Sequence, residues 1–420
     1  MYQITLALIK KHKDSIVTTL SLLINRGLDA VVLLVITPYL IKTFSIEFYG
    51  EMIYYLSIIY IIQTVIIFGF DNYILYKTSN IKRGQSEILS TIISVKLILL
   101  FITSIGYIIY CLFTFETDGK YFYPYLFLIL PLAECFNFSH YFVVEKMTPY
   151  LVKISIFRLA FFATLTLTLI NSPSDLNLYS LVLTLSYLFS VLIQNIMLKK
   201  HRNITIRLVY DWKNIRVCFK DASKFFGLKF FQVLSDKLYI IIAGMWIGYS
   251  SVTIIDISIK LYLVILMPVQ ILVVGILPKF IKKESTLDFR YCSFLVILIS
   301  IILIPSSILF KNNIDLYFFH RQLEELNNLY LIISISAILF IISFLISELY
   351  LNPMGMLSSS IYSSAFTFII TSVIVLFFHY FFTLTTNKVL LIFLISKFLD
   401  CLFKWFLLLN NNSRKNKKLI

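Results

Sequence analysis

The residues of this chain that could do chemistry are ionisable ones set inside long apolar runs. They are the basic Arg26, Lys96, Arg158, Lys229, Lys237, Lys260, Lys397 and Lys404, with acidic company from Asp29, Glu134, Asp236, Asp256, Glu348 and Asp400. A charge at the centre of a membrane helix costs roughly 2.5 to 3.5 kcal/mol on insertion scales, so such groups face a partner or a cavity. Arg26 and Asp29 are three apart, and Asp256/Lys260 and Asp400/Lys404 are four apart, which puts each pair on one helix face, turned inward rather than toward lipid. Two readings are open for each pair. Either the charges neutralise one another and let polar helices pack, or they line a hydrated lumen with a cationic bias, strongest at Arg26 in mid-span and at Lys260. A lumen of that sign suits an anionic passenger. Lys96, Lys397 and Lys404 are expected to snorkel toward the inner interface. The aromatics are expected mostly to face lipid or the interface, with Tyr54 and Tyr55 placed equally to stack on sugar rings in the lumen.

Enzymatic chemistry lacks candidates. The five His (12, 140, 201, 320, 379) make no ligand pair at helical spacing, and there is no Gly-rich phosphate loop. The longest external connection runs only from Lys311 to Asn328. No enzyme activity, metal or cofactor is therefore expected. The five Cys are scattered and mostly inside apolar runs, and are read as small core residues rather than a disulfide framework.

The elements that must position these charges follow from composition. The 420 residues are 59% hydrophobic and 14% charged, against about 45 to 50% and about 25% for soluble domains, and the mean hydropathy is +0.88. A helical span needs about 20 apolar residues. Runs of this kind lie near 16–41, 49–76, 88–115, 122–144, 151–170 and 178–198, then near 222–248, 252–278, 291–310, 329–350, 357–382 and 387–409. The expectation is an all-α integral membrane protein of about twelve transmembrane helices. The polar stretch 199–221 at mid-chain divides it into an N-terminal six-helix bundle (1–198), a basic cytoplasmic linker (199–221) and a C-terminal six-helix bundle (222–420). Paired halves of that kind are the usual basis of alternating access, with a site near the bilayer midplane.

Loop charge sets the orientation. With the N-terminus inside, the cytoplasmic segments hold 24 Lys and Arg, eight of them between Lys199 and Lys224, and the opposite side holds five. That bias puts both termini in the cytoplasm. It also accounts for most of the net charge of +15 without a nucleic-acid partner. Met1 to Lys13 is read as an interfacial segment rather than a cleaved signal peptide. Pro38, Pro124, Pro131, Pro268, Pro278 and Pro305, with Gly275, are expected to bend or break helices, which membranes tolerate where the freed carbonyls face protein or a cavity.

With the spans in place, a resemblance emerges. Pro38-Tyr39-Leu40 through Phe48-Tyr49-Gly50 to Phe68-Gly69-Phe70 resembles the opening of Wzx-type polysaccharide flippases, within the multidrug, oligosaccharidyl-lipid and polysaccharide exporter superfamily. Glu145-Lys146-Met147 followed by Arg158 is similar to that family's middle signature. Ser235-Asp236-Lys237 running into Ile241-Ile242-Ala243-Gly244, then Val252 to Lys260-Leu261 and Leu277-Pro278-Lys279, resembles its seventh and eighth spans. Thr253 and Ile255 depart from the pattern, where the family has Gly and Tyr. The match covers roughly residues 15 to 285.

The resemblance implies a MATE-like pair of six-helix bundles around a central cavity. It implies a flippase that moves an undecaprenyl-diphosphate-linked oligosaccharide, an O-antigen or related polysaccharide repeat unit, across the cell inner membrane. A polysaccharide polymerase, a chain-length regulator and membrane lipids are the further partners it suggests. Lumen candidates are Arg26, Asp29, Arg158, Lys229, Asp236, Asp256 and Lys260, of which the resemblance carries over Arg26, Asp236 and Lys260. The alternatives are a MATE-like cation-coupled drug exporter, which calls for a net acidic cavity, and a membrane glycan polymerase or ligase, which calls for a large external loop.

Overall fold

The computed structural model describes residues 27–28, 31–32, 34–80, 85–115, 121–202, 204, 207–208, 211–281, 298, 302, 309, 311–319, 329–351 and 357–417. Among these, every regular element is a helix. The first are α1 (Leu34–Phe44), α2 (Ile46–Ile67), α3 (Phe70–Asn80) and α4 (Gln85–Thr114). Three short helices follow, α5 (Tyr123–Leu126), α6 (Ile129–Cys135) and α7 (Ser139–Val144), then α8 (Thr148–Leu169) and α9 (Leu176–Arg202). The second half of the chain forms α10 (Trp212–Trp246), α11 (Tyr249–Ile281), α12 (Lys311–Phe319), α13 (Leu329–Leu345), a π-helical turn at Ile346–Leu351, α14 (Leu357–Phe381) and α15 (Thr386–Lys417). Eight stretches among the described residues are long and apolar enough to cross a bilayer. The protein is a multi-pass integral membrane protein. The ninth expected span, near 291–310, lies almost wholly outside the described residues, as do Pro305 and most of the first span.

The chain divides into two compact units, residues 1–36 with 55–233 and residues 37–54 with 234–420. In the first, α8 packs on α9, α5 and α6 lie against α9, and α3 lies against α7. A core of Phe70, Ile92, Phe138, Phe142, Leu151 and Ala222 ties these helices together. In the second, α15 packs on both α13 and α14, and α11 packs on α13. Large apolar side chains such as Phe101, Leu112 and Phe113 on α4, and Tyr380 and Phe381 on α14, stay exposed. On a soluble protein they would form an aggregating patch, whereas here they are the surface a lipid tail wets.

Two expected spans are interrupted. The fourth is not one helix but α5, α6 and α7 in succession, with Pro124 in α5 and Pro131 in α6. Pro124 opens α5 in its first turn, Pro131 has no N–H to extend the ladder back across the α5–α6 junction, and α6 gives way to α7 through Phe136-Asn137-Phe138 without a proline. The second is split between α2 and α3, because Phe68 (φ 40°) and Gly69 (φ 75°) take left-handed backbone. A Cβ on Gly69 would also lie 2.7 Å from the Ala222 carbonyl oxygen. By contrast α1 runs unbroken through Pro38, and α11 through Pro268, Gly275 and Pro278, so these prolines do not end their helices. Helix also invades the polar mid-chain stretch, since α9 reaches Arg202 and α10 begins at Trp212. Cys111, Cys135 and Cys218 are buried and unbridged.

Close approach of α2 to the start of α11 requires Gly50. A Cβ there would fall 1.9 Å from the carbonyl oxygen of Tyr249, which backbone cannot relieve cheaply. Gly50→Ala is expected to destabilise the protein by about 1 to 3 kcal/mol. Gly106→Ala, in the open middle of α4 with nothing within 4 Å, is expected to be neutral or stabilising by up to about 1 kcal/mol. Thermal unfolding of the two purified variants in the same detergent checks the contrast.

Candidate functional site

Among its described residues the second unit gathers intramembrane charge into neighbouring groups of side chains. Asp256 and Lys260 project from one face of α11 and form an ion pair, Nζ to Oδ2 2.7 Å. Across from them stand Tyr49 at the start of α2 and Thr37 in α1. The Tyr49 hydroxyl donates to Asp256 Oδ2 at 3.0 Å and accepts from Lys260 Nζ at 2.5 Å, while Lys260 also donates to Thr37 Oγ1 at 3.1 Å. The three hydrogens of the ammonium thus have three oxygen acceptors. That is the condition for keeping a charge in a medium that cannot solvate it. Asp256 is buried and the Lys260 side chain is 18% exposed.

The local sequence explains why these groups meet. Ser45 takes φ 80°, which ends α1 and turns the chain into α2. Gly50 then admits the α11 N-terminus, and the Thr253 hydroxyl donates to the Ile46 carbonyl at 2.5 Å. Thr253, which departs from the flippase pattern, therefore pins the start of α2 to α11. Ile255, the second departure, is a buried core residue.

A second charged group adjoins the first through α10. Asp236 Oδ1 lies 3.3 Å from Lys397 Nζ of α15. The Lys397 ammonium also sits over the rings of Phe393 (4.9 Å), Tyr262 (5.5 Å) and Phe340 (5.5 Å). Three aromatic faces shelter the cation while the Asp236 side chain remains 41% exposed. Lys237, half-buried on α10, lies within electrostatic range of Asp256, Asp236 and Lys260. Further along α15, Asp400 accepts from Lys404 at 2.8 Å, from Ser363 at 2.6 Å and from Ser343, and Lys404 donates also to Ser343 at 2.9 Å. This last cluster is closed on itself.

In the first unit the polar groups serve the broken span. Lys96, fully buried in α4, donates to the carbonyls of Glu134 (3.1 Å) and Asn137 (3.5 Å), at and just beyond the end of α6. A cation there suits the negative end of α6, where the Glu134 carbonyl accepts both from the ammonium and from the Asn137 N–H. The Glu134 carboxylate accepts from Tyr187 at 2.7 Å and from Asn137 at 3.1 Å, and Arg158 lies over the Tyr187 ring at 5.8 Å.

The structure thus brings Asp256 and Lys260 together, with Asp236 in the neighbouring group, and leaves Arg158 to the first unit. Arg26 and Asp29 lie outside the described residues, and of Lys229 only the backbone, within α10, is described. Lys96, Lys397 and Lys404 do not snorkel to the interface. Each finds an internal partner, which removes the reason to reach for headgroups. Tyr54 packs on Gly244 and on the Tyr249 ring, and Tyr55 on Phe115 and Tyr123, so both are core residues. Sequence reasoning missed Thr37 and Tyr49 as partners of Lys260. Tyr49 lay inside the quoted Phe48-Tyr49-Gly50, but nothing in its spacing pairs it with a residue some two hundred positions later. Among the described residues no group of three or more His, Cys, Asp or Glu could hold a metal ion.

No family profile matches the sequence. No characterised protein matches it by sequence. Solved structures do match. A multidrug resistance MATE family transporter of the MOP superfamily in its inward-facing conformation is 13% identical with a TM-score of 0.66, over 96% of this chain and 99% of that one. An outward-facing structure of such a transporter gives 12% and 0.62, over 95% of each chain. A MOP superfamily transporter from Pyrococcus furiosus, described as having a binding pocket of reversed polarity that suggests a different function, gives 12% and 0.59 over 95% of each. The chain has an all-α, multi-span, MATE-like fold.

Within this network the Lys260 pair is testable by itself. Lys260→Met takes from the buried Asp256 carboxylate its ion-pair partner, leaving the Tyr49 hydroxyl, and is expected to cost about 3 to 5 kcal/mol. The double variant Lys260→Met with Asp256→Asn is expected to recover most of that loss. A double-mutant cycle on thermal unfolding reads the difference, and equal losses in both variants would mean the two groups do not act as a pair.

Proposed function

We propose that the chain is an alternating-access transporter that moves an anionic amphiphile, a polyprenyl-diphosphate-linked oligosaccharide of the O-antigen or related polysaccharide class, from the cytoplasmic leaflet to the opposite one. The observation that supports this reading is the sign of the connected charge in the second unit: Lys237, Lys260 and Lys397 against Asp236 and Asp256. Such a passenger needs help, because each sugar hydroxyl moved from water to hydrocarbon without a partner costs roughly 4 to 8 kcal/mol. A diphosphate near Lys260 would compete with the Asp256 carboxylate for the same ammonium. Its arrival loosens the pair and ties passenger charge to the packing of α1, α2 and α11. Both termini belong in the cytoplasm on the distribution of loop cations. A potential negative inside then favours outward movement of the diphosphate by about 2.3 kcal/mol per charge per 100 mV.

A cation-coupled drug exporter is the second reading. The fold favours it, since two of the matching structures are described as multidrug resistance transporters. In that case the part-exposed Asp236 is the acceptor for a cationic drug.

Proteoliposomes separate the two. With a polyprenyl-diphosphate oligosaccharide in the bilayer, the protein is expected to raise the rate at which the sugar becomes accessible to an impermeant lectin. Lys260→Ala is expected to lower that rate at matched protein while Lys260→Arg keeps much of it. Accumulation of ethidium with no movement of the glycolipid, and loss of that activity in Asp236→Asn, would establish the drug exporter instead.

A further inference from the structure

We infer that the α9–α10 corner of the first unit is a binding face for anionic phospholipid, distinct from the charged groups of the second unit and independent of what the protein carries. Several elements converge there. The Arg202 guanidinium at the end of α9 pairs with Glu145 at 2.7 Å, and His201 packs on the Tyr150 ring of α8 at 5.5 Å. The backbone N–H of Arg207 donates to Ser90 Oγ of α4 at 3.0 Å. Ile204, Ile215 and Cys218 enter the same core as Leu198, Met147 and Leu151. One end of the unit therefore collects the start of α8, the end of α9, Ile204 and Arg207 beyond it and the first turns of α10.

This end is where lipid meets water. The apolar stretch of α9 stops at the run Lys199 to Arg202, and the apolar stretch of α8 starts just beyond Thr148. At that level Lys200, Arg207, Lys213, Arg216 and Lys220 are all exposed, and so is Arg202 beyond its bond to Glu145. The only exposed carboxylate described between Lys199 and Lys220 is Asp211.

Apolar groups are interleaved with those cations. On α10 the buried residues Ile215, Cys218 and Ala222 form one stripe at helical spacing. The rest of the first two turns presents Trp212, 70% exposed, and Val217, 51% exposed, among Lys213, Arg216 and Lys220. A water-facing helix would gain nothing from an uncovered indole. At a headgroup layer the ring is at home, and the lysine and arginine stems lie along acyl chains while their charges meet phosphate. Clusters of four to eight cations beside a span are the pattern that anionic headgroups recognise.

The test uses the full chain with Trp246→Phe and Trp405→Phe, which leaves Trp212 as the sole indole. It is reconstituted in phosphatidylcholine vesicles containing equal mole fractions of brominated phosphatidylglycerol or brominated phosphatidylcholine. Brominated phosphatidylglycerol is expected to quench Trp212 at least about twofold more strongly, with the excess falling as salt is raised. Adding Lys213→Gln, Arg216→Gln and Lys220→Gln, all at exposed positions, is expected to remove the preference while quenching by the zwitterionic lipid persists. Equal quenching by the two lipids overturns the proposal, as does a preference that survives the triple variant. Quenching by neither places the face in water, open to a soluble acidic partner, and overturns it too.

Discussion

Hydrocarbon offers no hydrogen bonds, and the rest of this structure depends on that. Every carbonyl freed by a break in a helix, and every charge carried into a span, must find its partner inside the protein. Lys96 shows the rule at its strictest. A fully buried ammonium is tolerated because the broken fourth span supplies two carbonyls at the end of α6, and the break is tolerated because the ammonium is there. Neither feature would persist alone. The same reciprocity holds on α15, where Asp400 and Lys404 share Ser343 between them.

Once charges are obliged to pair, packing decides which of them are closed and which stay open to exchange. The Asp400 carboxylate is surrounded by donors and acts as a rivet between α13, α14 and α15. Asp236 is different, since one oxygen reaches Lys397 and much of the side chain remains uncovered. The Lys260 ammonium lies between these extremes. It is saturated by oxygens, yet one of the three belongs to a carboxylate that a stronger anion can replace. That gradation, from sealed to accessible, runs through the second unit and is what the proposed transport function draws on. It rests in turn on Gly50 and Ser45, whose backbones let α1 and α2 come close enough to α11 for hydroxyls to reach Lys260.

Much of this was legible in the sequence. Hydropathy gave the helices, because a span must be long and apolar whatever it does, and the Asp256/Lys260 and Asp400/Lys404 pairs followed from helical spacing alone. The MATE-like fold followed from the order of weak motifs along the first two thirds of the chain. Other features were hidden for physical reasons. Snorkelling was a fair expectation for Lys96, Lys397 and Lys404 as single side chains, and it failed because Lys96 and Lys397 meet partners distant in sequence while Lys404 is held by Asp400 one turn back and by Ser343 of α13. Pro131 stands at an interruption of its span where Pro268 and Pro278 lie within an unbroken α11, and spacing along the chain does not distinguish them. Thr37 and Tyr49 carry no charge and stand in an ordinary apolar run. Nothing local marks them as ligands of a lysine.

The Tyr49 to Asp256 bond has a consequence for how the molecule is made. Its two residues are 207 positions apart, so at roughly 5 to 20 residues per second the hydroxyl leaves the ribosome on the order of 10 to 40 seconds before the carboxylate that will receive it. Through that interval α1 and α2 have been synthesised without their eventual neighbour. Tyr49 therefore enters the membrane before either of the charged groups it will bond, and needs an interim partner until α11 arrives.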